Sequence, residues 1–391
     1  MMIIESPKVL FVATMARHIK AFHIPCLTFF KEMGYEVHVA ANDIDEVTIL
    51  DADHIHPISI ARKPFEFTNI KAYFQLKRLF SEHHFDMIHF HIPVSAAVGR
   101  LAARTTRKNG TAVLYTAHGF NFFKGSSRSS WLLYFTIEKF LSRYTDCLIT
   151  INQEDYECAL TRNFPVKRLE KINGMGVNLS RFFPVTNHRK QELRAKHHFN
   201  EDDFILVYAA EFSKRKNQEW LLKILPELKK EIPRIKLLLP GTGDTQTYCE
   251  TLVQQLKIEE CVRFLGFRKD IDEIVQLSDV GVSSSRNEGL GIHLVEDMAC
   301  GKPIIATNLQ GHKDLIKENY NGYLVDIENP EEIIQPLVNL YVNKELYAEM
   351  SKNALEHAHA FSLDTSMSQL AAIYHQYVTY KGVRADERTI S

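Results

Sequence analysis

Short apolar runs alternate with amphipathic stretches along the whole of this chain. In the first half, Val9–Ala13, Glu36–Ala40, Met87–Phe90, Ala112–Thr116 and Cys147–Ile151 are bounded by polar turns and read as strands. Between them, Phe22–Met33, Ile70–Glu82, Val94–Arg107 and Ser129–Arg143 carry apolar positions at helical spacing. The pattern pauses over Arg181–Asp203, a charged, His-rich stretch that reads as a connector, and then restarts. Strands are expected at Phe204–Tyr208, Ile235–Leu239, Val262–Leu265, Val280–Ser283, Pro303–Ala306 and Gly322–Val325. Helices are expected between these strands and at Pro330–Asn343, Lys344–Ala360 and Leu363–Tyr380, before a polar tail, Val383–Ser391.

Strand–helix alternation with near-continuous apolar strands predicts parallel sheets covered on both faces. The fold class is therefore α/β: two Rossmann-like doubly wound domains facing across a cleft. The expected division is 1–185, 186–362 and a C-terminal helix and tail, 363–391, with that helix packing back on the first domain. Such sheets bind ligands beyond the carboxyl ends of their strands.

Composition narrows the function classes. The net charge of −1 argues against a dedicated nucleic-acid binder. The first 180 residues carry +4 and ten of the 18 His, the remainder −5. That imbalance fits either an anionic partner or ordinary scatter. The six Cys form no CxxC pair and read as reduced core residues of a cytoplasmic protein. The segment Val9–Ala13 reads as a first strand rather than a signal peptide. No run approaches a membrane span, so any membrane work is expected at the cytoplasmic face of the plasma membrane.

The strongest signal lies between Ser283 and Thr307. A strand opens into a loop with Glu288, Gly289, Leu290 and Gly291. A helix follows from Ile292, and Gly301 ends it as a C′ glycine. Loop glycines admit a ligand to the backbone, and a helix start offers free N–H groups and a positive dipole end, which together make a diphosphate cradle. Glu296 lies eight residues beyond Glu288, a little over two helical turns. One carboxylate would accept hydrogen bonds from a sugar, the other from ribose.

This Glu-x7-Glu segment, with Met298-Ala299-Cys300-Gly301-Lys302-Pro303 and the Asn308-Leu309-Gln310-Gly311 loop, resembles the donor signature of the retaining glycosyltransferases of family GT4, which have the GT-B fold. The match to exopolysaccharide and capsule-type members rests on Phe11-Val12-Ala13-Thr14, His18, Phe22-His23-Ile24-Pro25 and Gly34-Tyr35-Glu36-Val37. Ile172–Asn178 resembles the segment before the family's interdomain linker, and the resemblance spans about residues 7–380. It implies a hexosyltransferase that takes a hexose or N-acetylhexosamine from a nucleotide diphosphate sugar, UDP-linked by expectation. The implied acceptor is a saccharide, carried by a polyprenyl diphosphate.

The resemblance also assigns residues. Lys216 matches the family's diphosphate-binding Lys, whereas the usual Arg position holds Glu211. Lys214 or Arg215 replaces that charge. Gly241, in Gly241-Thr242-Gly243, matches a turn lining the donor site. Phe267 and Arg268 match the segment holding the base, Arg268 either stacking on it or lying at the surface. His118, past the strand Ala112–Thr116, matches a His beside the transferred sugar, its alternative being a satisfied structural His. On the acceptor side stand Thr14 and His18, in an opening loop after the first strand, with His91 and Phe120.

No cofactor or metal is expected. Basic residues and a helix start already serve the phosphate. Asp43/Asp45 and Asp51/Asp53 lie in a polar loop, and Asp270 reads as the N-cap of a helix Ile271–Leu277. His89 and His91 share a strand face, but no third ligand is evident. Phe120, Phe122, Phe123, Lys124, Arg128, Trp131, Leu132 and Phe135 form either a basic-aromatic membrane contact or a buried helix with a polar loop. The rival readings are a nucleotide-sugar epimerase of the same fold and a non-catalytic nucleotide-sugar-binding partner subunit.

Overall fold

The computed structural model describes residues 6–44, 48–123 and 125–378. Asp45, Lys124 and the tail 383–391 lie outside the described residues. The chain divides into two compact units. One comprises the first 175 residues with the stretch from Ser366 onward, and the other is Gly176–Thr365.

The first unit holds a seven-stranded, all-parallel sheet: β1 (Lys8–Met15), β2 (Glu36–Asn42), β3 (His54–Pro57), β4 (Met87–His91), β5 (Ala112–Ala117), β6 (Cys147–Thr150) and β7 (Arg168–Lys171). Its order is β3-β2-β1-β4-β5-β6-β7. Val9 to Ala13 are fully buried, because helices cover both faces of a central strand. The last helix, Leu363–Tyr374, contributes Tyr374 to this unit, where its hydroxyl meets His89 Nδ1 at 3.0 Å.

The second unit holds a six-stranded parallel sheet: β8 (Phe204–Val207), β9 (Ile235–Pro240), β10 (Val262–Gly266), β11 (Val280–Ser283), β12 (Ile304–Thr307) and β13 (Gly322–Val325), in the order β10-β9-β8-β11-β12-β13. Both sheets reverse their strand order once, between β1 and β4 and between β8 and β11. Chain crossovers diverge at these points and leave a crevice for ligand.

Four expectations need correction. The strands β3 and β7 gave no apolar signal, because His54–Pro57 and Arg168–Lys171 are sheet edges and are only partly buried. The presumed connector contains the helix Asn187–Lys196, capped by Thr186 and held by buried Leu193 and an Arg194–Asp279 ion pair at 2.7 Å. One apolar anchor is too few to show as a stripe. Third, there is no opening loop: β1 runs through Thr14 to Met15, and the helix Ala16–Phe22 begins at once, carrying His18. Fourth, the expected helix Ser129–Arg143 is interrupted by a π turn at Trp131–Phe135.

Candidate active site

Two loops leave the switch point of the second sheet. The chain after β8 runs from Tyr208 to the helix Gln218–Glu231, and the chain after β11 runs from Ser284 to the helix Ile292–Ala299. They are tied backbone to backbone and by side chains. Arg286 N donates to Arg215 O at 2.8 Å, and Asn217 Nδ2 to Ser284 O at 3.2 Å. Ser284 Oγ donates to Asn217 O at 2.9 Å, and the Tyr208 hydroxyl donates to Lys216 O, also at 2.9 Å. Asn217 sits at φ 55°, a left-handed turn that Asn tolerates better than most residues.

This interlocking brings Lys216, Arg215 and Glu288 together. Glu288 is buried, and its Oε1 accepts from Ser285 Oγ at 2.7 Å. The same oxygen pairs with Lys216 Nζ and lies 3.1 Å from Arg215 NH1. Arg215 NH1 also donates to Asn287 O at 3.1 Å, whereas Lys214 points into solvent. Burial alone would raise the Glu288 carboxyl. The Lys216 ammonium and the Arg215 guanidinium outweigh it and hold Glu288 well below the usual carboxylate range. Two imidazoles border the same place. His293 and His312 are buried, each with an Nε2 that has no partner.

The helix Ile292–Ala299 starts from Gly291 at φ 97°, which only glycine adopts freely. Gly311 lets its helix press on the backbone of Gly289 and Leu290. At the far end Gly301 is in the left-handed region, and its N–H donates to Met298 O at 2.8 Å, as a C′ glycine should. Burial pushes the Glu296 carboxyl up to about 7, opposed by Arg181.

Other candidates fall elsewhere. Gly241 is required by the protein's own packing, because a Cβ there would overlap the Ala210 carbonyl oxygen. Phe267 is 78% exposed. The Arg268 guanidinium is taken up by Asp270, Nε to Oδ1 at 2.8 Å. Asp270 occupies the N-cap position but makes no side-chain cap, which corrects the expectation for that residue. Asp51 accepts from Thr28, Asp53 from Val37 N, and Asp272 pairs with Arg181.

In the first unit, the switch point gathers imidazoles. His91 ends β4, His118 follows β5, and His18 and His23 come from the chain after β1. His118 Nε2 lies 3.4 Å from His91 Nδ1, and His23 Nε2 lies 3.2 Å from His18 Nδ1. The His23 and His91 rings overlap with centroids 3.7 Å apart. Burial pushes His18 down to about 4 and holds His23, His91 and His118 well below the usual imidazole range, so the group is neutral at pH 7. His89 is satisfied by Tyr374 and by Thr116, the latter at 2.8 Å. Thr14 is buried beside this cluster's strand, with Oγ1 3.4 Å from Ser95 Oγ. Other imidazoles do stand near His91, although the local sequence shows no third ligand for the His89/His91 pair. Residues far apart in sequence supply them.

Ile92, next to His91, holds φ 69°, a strained value for a β-branched residue. Nothing in the sequence marks it beyond the proline that follows. Of the two readings of the segment 120–135, the buried one holds for Phe120 and Phe122. Phe120 and Phe122 are buried and stack at 4.6 Å, and Trp131 Nε1 donates to Phe123 O at 3.1 Å. Phe120 instead lines a cavity of about 560 Å³ with Ile92, Tyr115 and Tyr134. Leu132 of that segment is 76% exposed, and elsewhere in this unit Phe65 (74% exposed), Phe67 (89%) and Phe74 are also exposed.

Residues 8–152 match the family described as glycosyl transferase 4-like, and residues 189–357 match glycosyl transferases group 1. The chain is 44% identical over 371 residues to the putative glycosyltransferase EpsD of Bacillus subtilis (strain 168), covering 95% of this chain and 97% of that one. This chain belongs to the GT4 family of glycosyltransferases. The glycosyltransferase is also 26% identical over 318 residues to the UDP-Gal:alpha-D-GlcNAc-diphosphoundecaprenol alpha-1,3-galactosyltransferase of Escherichia coli, covering 80% and 81% of the two chains. Its fold matches sucrose-phosphate synthase from Thermosynechococcus elongatus, with a TM-score of 0.78, 20% identity and coverage of 95% and 98%. It also matches Anabaena HepE in complex with UDP and glucose, with a TM-score of 0.76, 19% identity and coverage of 95% and 100%. The glycosyltransferase therefore has the GT-B fold, and these relatives lend no support to an epimerase.

Proposed function

We propose that this glycosyltransferase moves a hexose or N-acetylhexosamine from a UDP-sugar to a saccharide on a polyprenyl diphosphate, with retention of anomeric configuration, in exopolysaccharide or capsule synthesis. The observation that carries the reading is the buried Lys216–Glu288 pair at the switch point, flanked by the half-exposed Arg215 and beside a helix start. Cleaving the sugar–phosphate bond leaves a diphosphate that gains negative charge in the transition state. Fixed cations and N–H groups in a dry site stabilise that charge more than water does. Glu288 aims the two cations and orients the donor sugar, Gly289–Ile292 contribute N–H groups, and Glu296 holds the ribose.

No divalent metal is required at the diphosphate, because this cation pair takes that place. The leaving phosphate assists removal of the acceptor proton, so no enzymic nucleophile is needed. His118 hydrogen-bonds the transferred sugar, and neutral imidazole suits that work at pH 7.

A lipid-linked acceptor is supported by the relative from E. coli, named for a diphosphoundecaprenol substrate, and by the apolar surface of the first unit. Phe65, Phe67, Ile70 and Phe74 border a cavity of about 490 Å³ in that unit. Among the described residues no helix is long and apolar enough to cross a membrane, so we assign peripheral contact at the cytoplasmic face.

Steady-state kinetics with UDP-sugars and a polyprenyl-diphosphate saccharide test the roles. Glu296→Ala is expected to raise the donor KM with little change in kcat, and His118→Ala to lower kcat. Wild-type kinetics in both variants would remove the assignment.

A further inference from the structure

We propose that His18, His23 and His118 form a binding site for one divalent cation of the Zn²⁺ class, with three imidazole ligands and an open fourth position. One nitrogen from each of the three rings lies within 4.8 Å of the other two. The closest pair, His23 Nε2 and His18 Nδ1, is 3.2 Å apart. Two nitrogens bound at 2.0–2.1 Å to a tetrahedral ion stand about 3.3 Å apart, so this pair already has the required spacing. The remaining separations are at most 4.8 Å, so ring movements of about 1.5 Å or less bring the three nitrogens to that spacing.

The ligand set chooses the ion. It contains imidazoles only, which suit Zn²⁺, Co²⁺, Ni²⁺ and Cu²⁺, whereas Mg²⁺ and Ca²⁺ take oxygen ligands. The site is thus chemically distinct from a diphosphate-bound Mg²⁺. Without a cation, His23 Nε2 and His18 Nδ1 share one hydrogen bond, which the ion would replace with two metal bonds. Occupancy engages a ring nitrogen of His118 and so blocks transfer. That consequence, unlike the binding itself, rests on the role given to His118 above.

The test is a Co²⁺ titration of the full-length, metal-stripped protein, read by visible absorption. One equivalent should give the intense bands of a tetrahedral site, and one equivalent of Zn²⁺ should bleach them. His23→Gln should weaken Co²⁺ binding on the order of 100-fold or more. His18→Gln, on a partly exposed position, should do the same and serves if His23→Gln fails to fold. A second imidazole group, Glu36, His38 and His54, provides the control. Absence of the bands in the wild type overturns the site. So does their persistence in both variants, or their loss in His54→Gln alone. Stoichiometric Zn²⁺ binding with full transferase activity would uphold the site and refute the role of His118.

Discussion

Replacing Lys216 with methionine should leave the Glu288 carboxylate buried with only Ser285 and the half-exposed Arg215 for partners. Removing one member of a buried ion pair costs roughly 3–5 kcal/mol, because the other charge stays desolvated. Arg215 remains, so the lower end applies, about 3 kcal/mol. In a unit the size of Gly176–Thr365 that corresponds to a fall in Tm of about 10 °C. Removing both charges in Lys216→Met/Glu288→Met should return most of the loss, leaving a coupling of about 2 kcal/mol or more.

The pH dependence has a definite sign. The folded Glu288 carboxyl is depressed, so its stabilising contribution is full above the ordinary carboxylate range and is lost progressively as pH falls below that range towards the depressed folded value. Lys216→Met should flatten that acid limb. Urea unfolding of both single variants and the double, between about pH 2 and 8, reads the cycle and the acid limb. Trp220 is the reporter, in a Trp131→Phe background, since these are the chain's only tryptophans. UDP binding by calorimetry should weaken in every variant lacking Lys216. Single-variant losses that simply add in the double would refute the coupled-pair reasoning.

Three further outcomes are expected. Because burial raises Glu296 to about 7, its stability contribution is present below the ordinary carboxylate range and is lost as pH rises through about 7. UDP-sugar affinity should rise over the same interval as the ionised form appears, and Glu296→Gln should abolish both dependences in unfolding and binding titrations. Gly241→Ala should destabilise far more than Gly110→Ala in thermal melts. Both have positive φ, but a Cβ at Gly241 strikes the Ala210 carbonyl whereas one at Gly110 meets nothing; the second should cost only about 1 kcal/mol. Phe67→Asp should reduce sedimentation with anionic phospholipid vesicles while leaving UDP affinity unchanged, and unaltered sedimentation would remove Phe67 from the membrane contact.

Much of the fold could be read from the chain because the central strands are covered on both faces. Val9–Ala13 and Leu237–Leu239 must then be continuously apolar, and the eye finds them. Edge strands need only one apolar face, so His54–Pro57 and Arg168–Lys171 look like polar loops. The helix Asn187–Lys196 was hidden for a related reason, being docked by ion pairs to Asp279 rather than by an apolar stripe.

At the donor-side site, Lys216 and Glu288 were visible through their motifs. Sequence could not show that Ser285 and Arg215 would converge on the same carboxylate oxygen, which depends on two loops leaving adjacent strands. The imidazole cluster was harder still, because His18, His23, His91 and His118 are drawn together by a sheet order that local patterns do not encode. Phe120 and Phe122 left two readings open for the opposite reason. Aromatic residues beside Lys and Arg resemble a membrane contact, yet here they fill the core against Phe164.

The most direct measurement is proton NMR of the product formed when the purified protein is given a UDP-sugar and a polyprenyl-diphosphate saccharide, with EDTA present throughout. The account predicts a new glycosidic bond with the donor's anomeric configuration, formed at an undiminished rate. An inverted linkage, a requirement for added metal, or an altered nucleotide sugar with no transfer would contradict it.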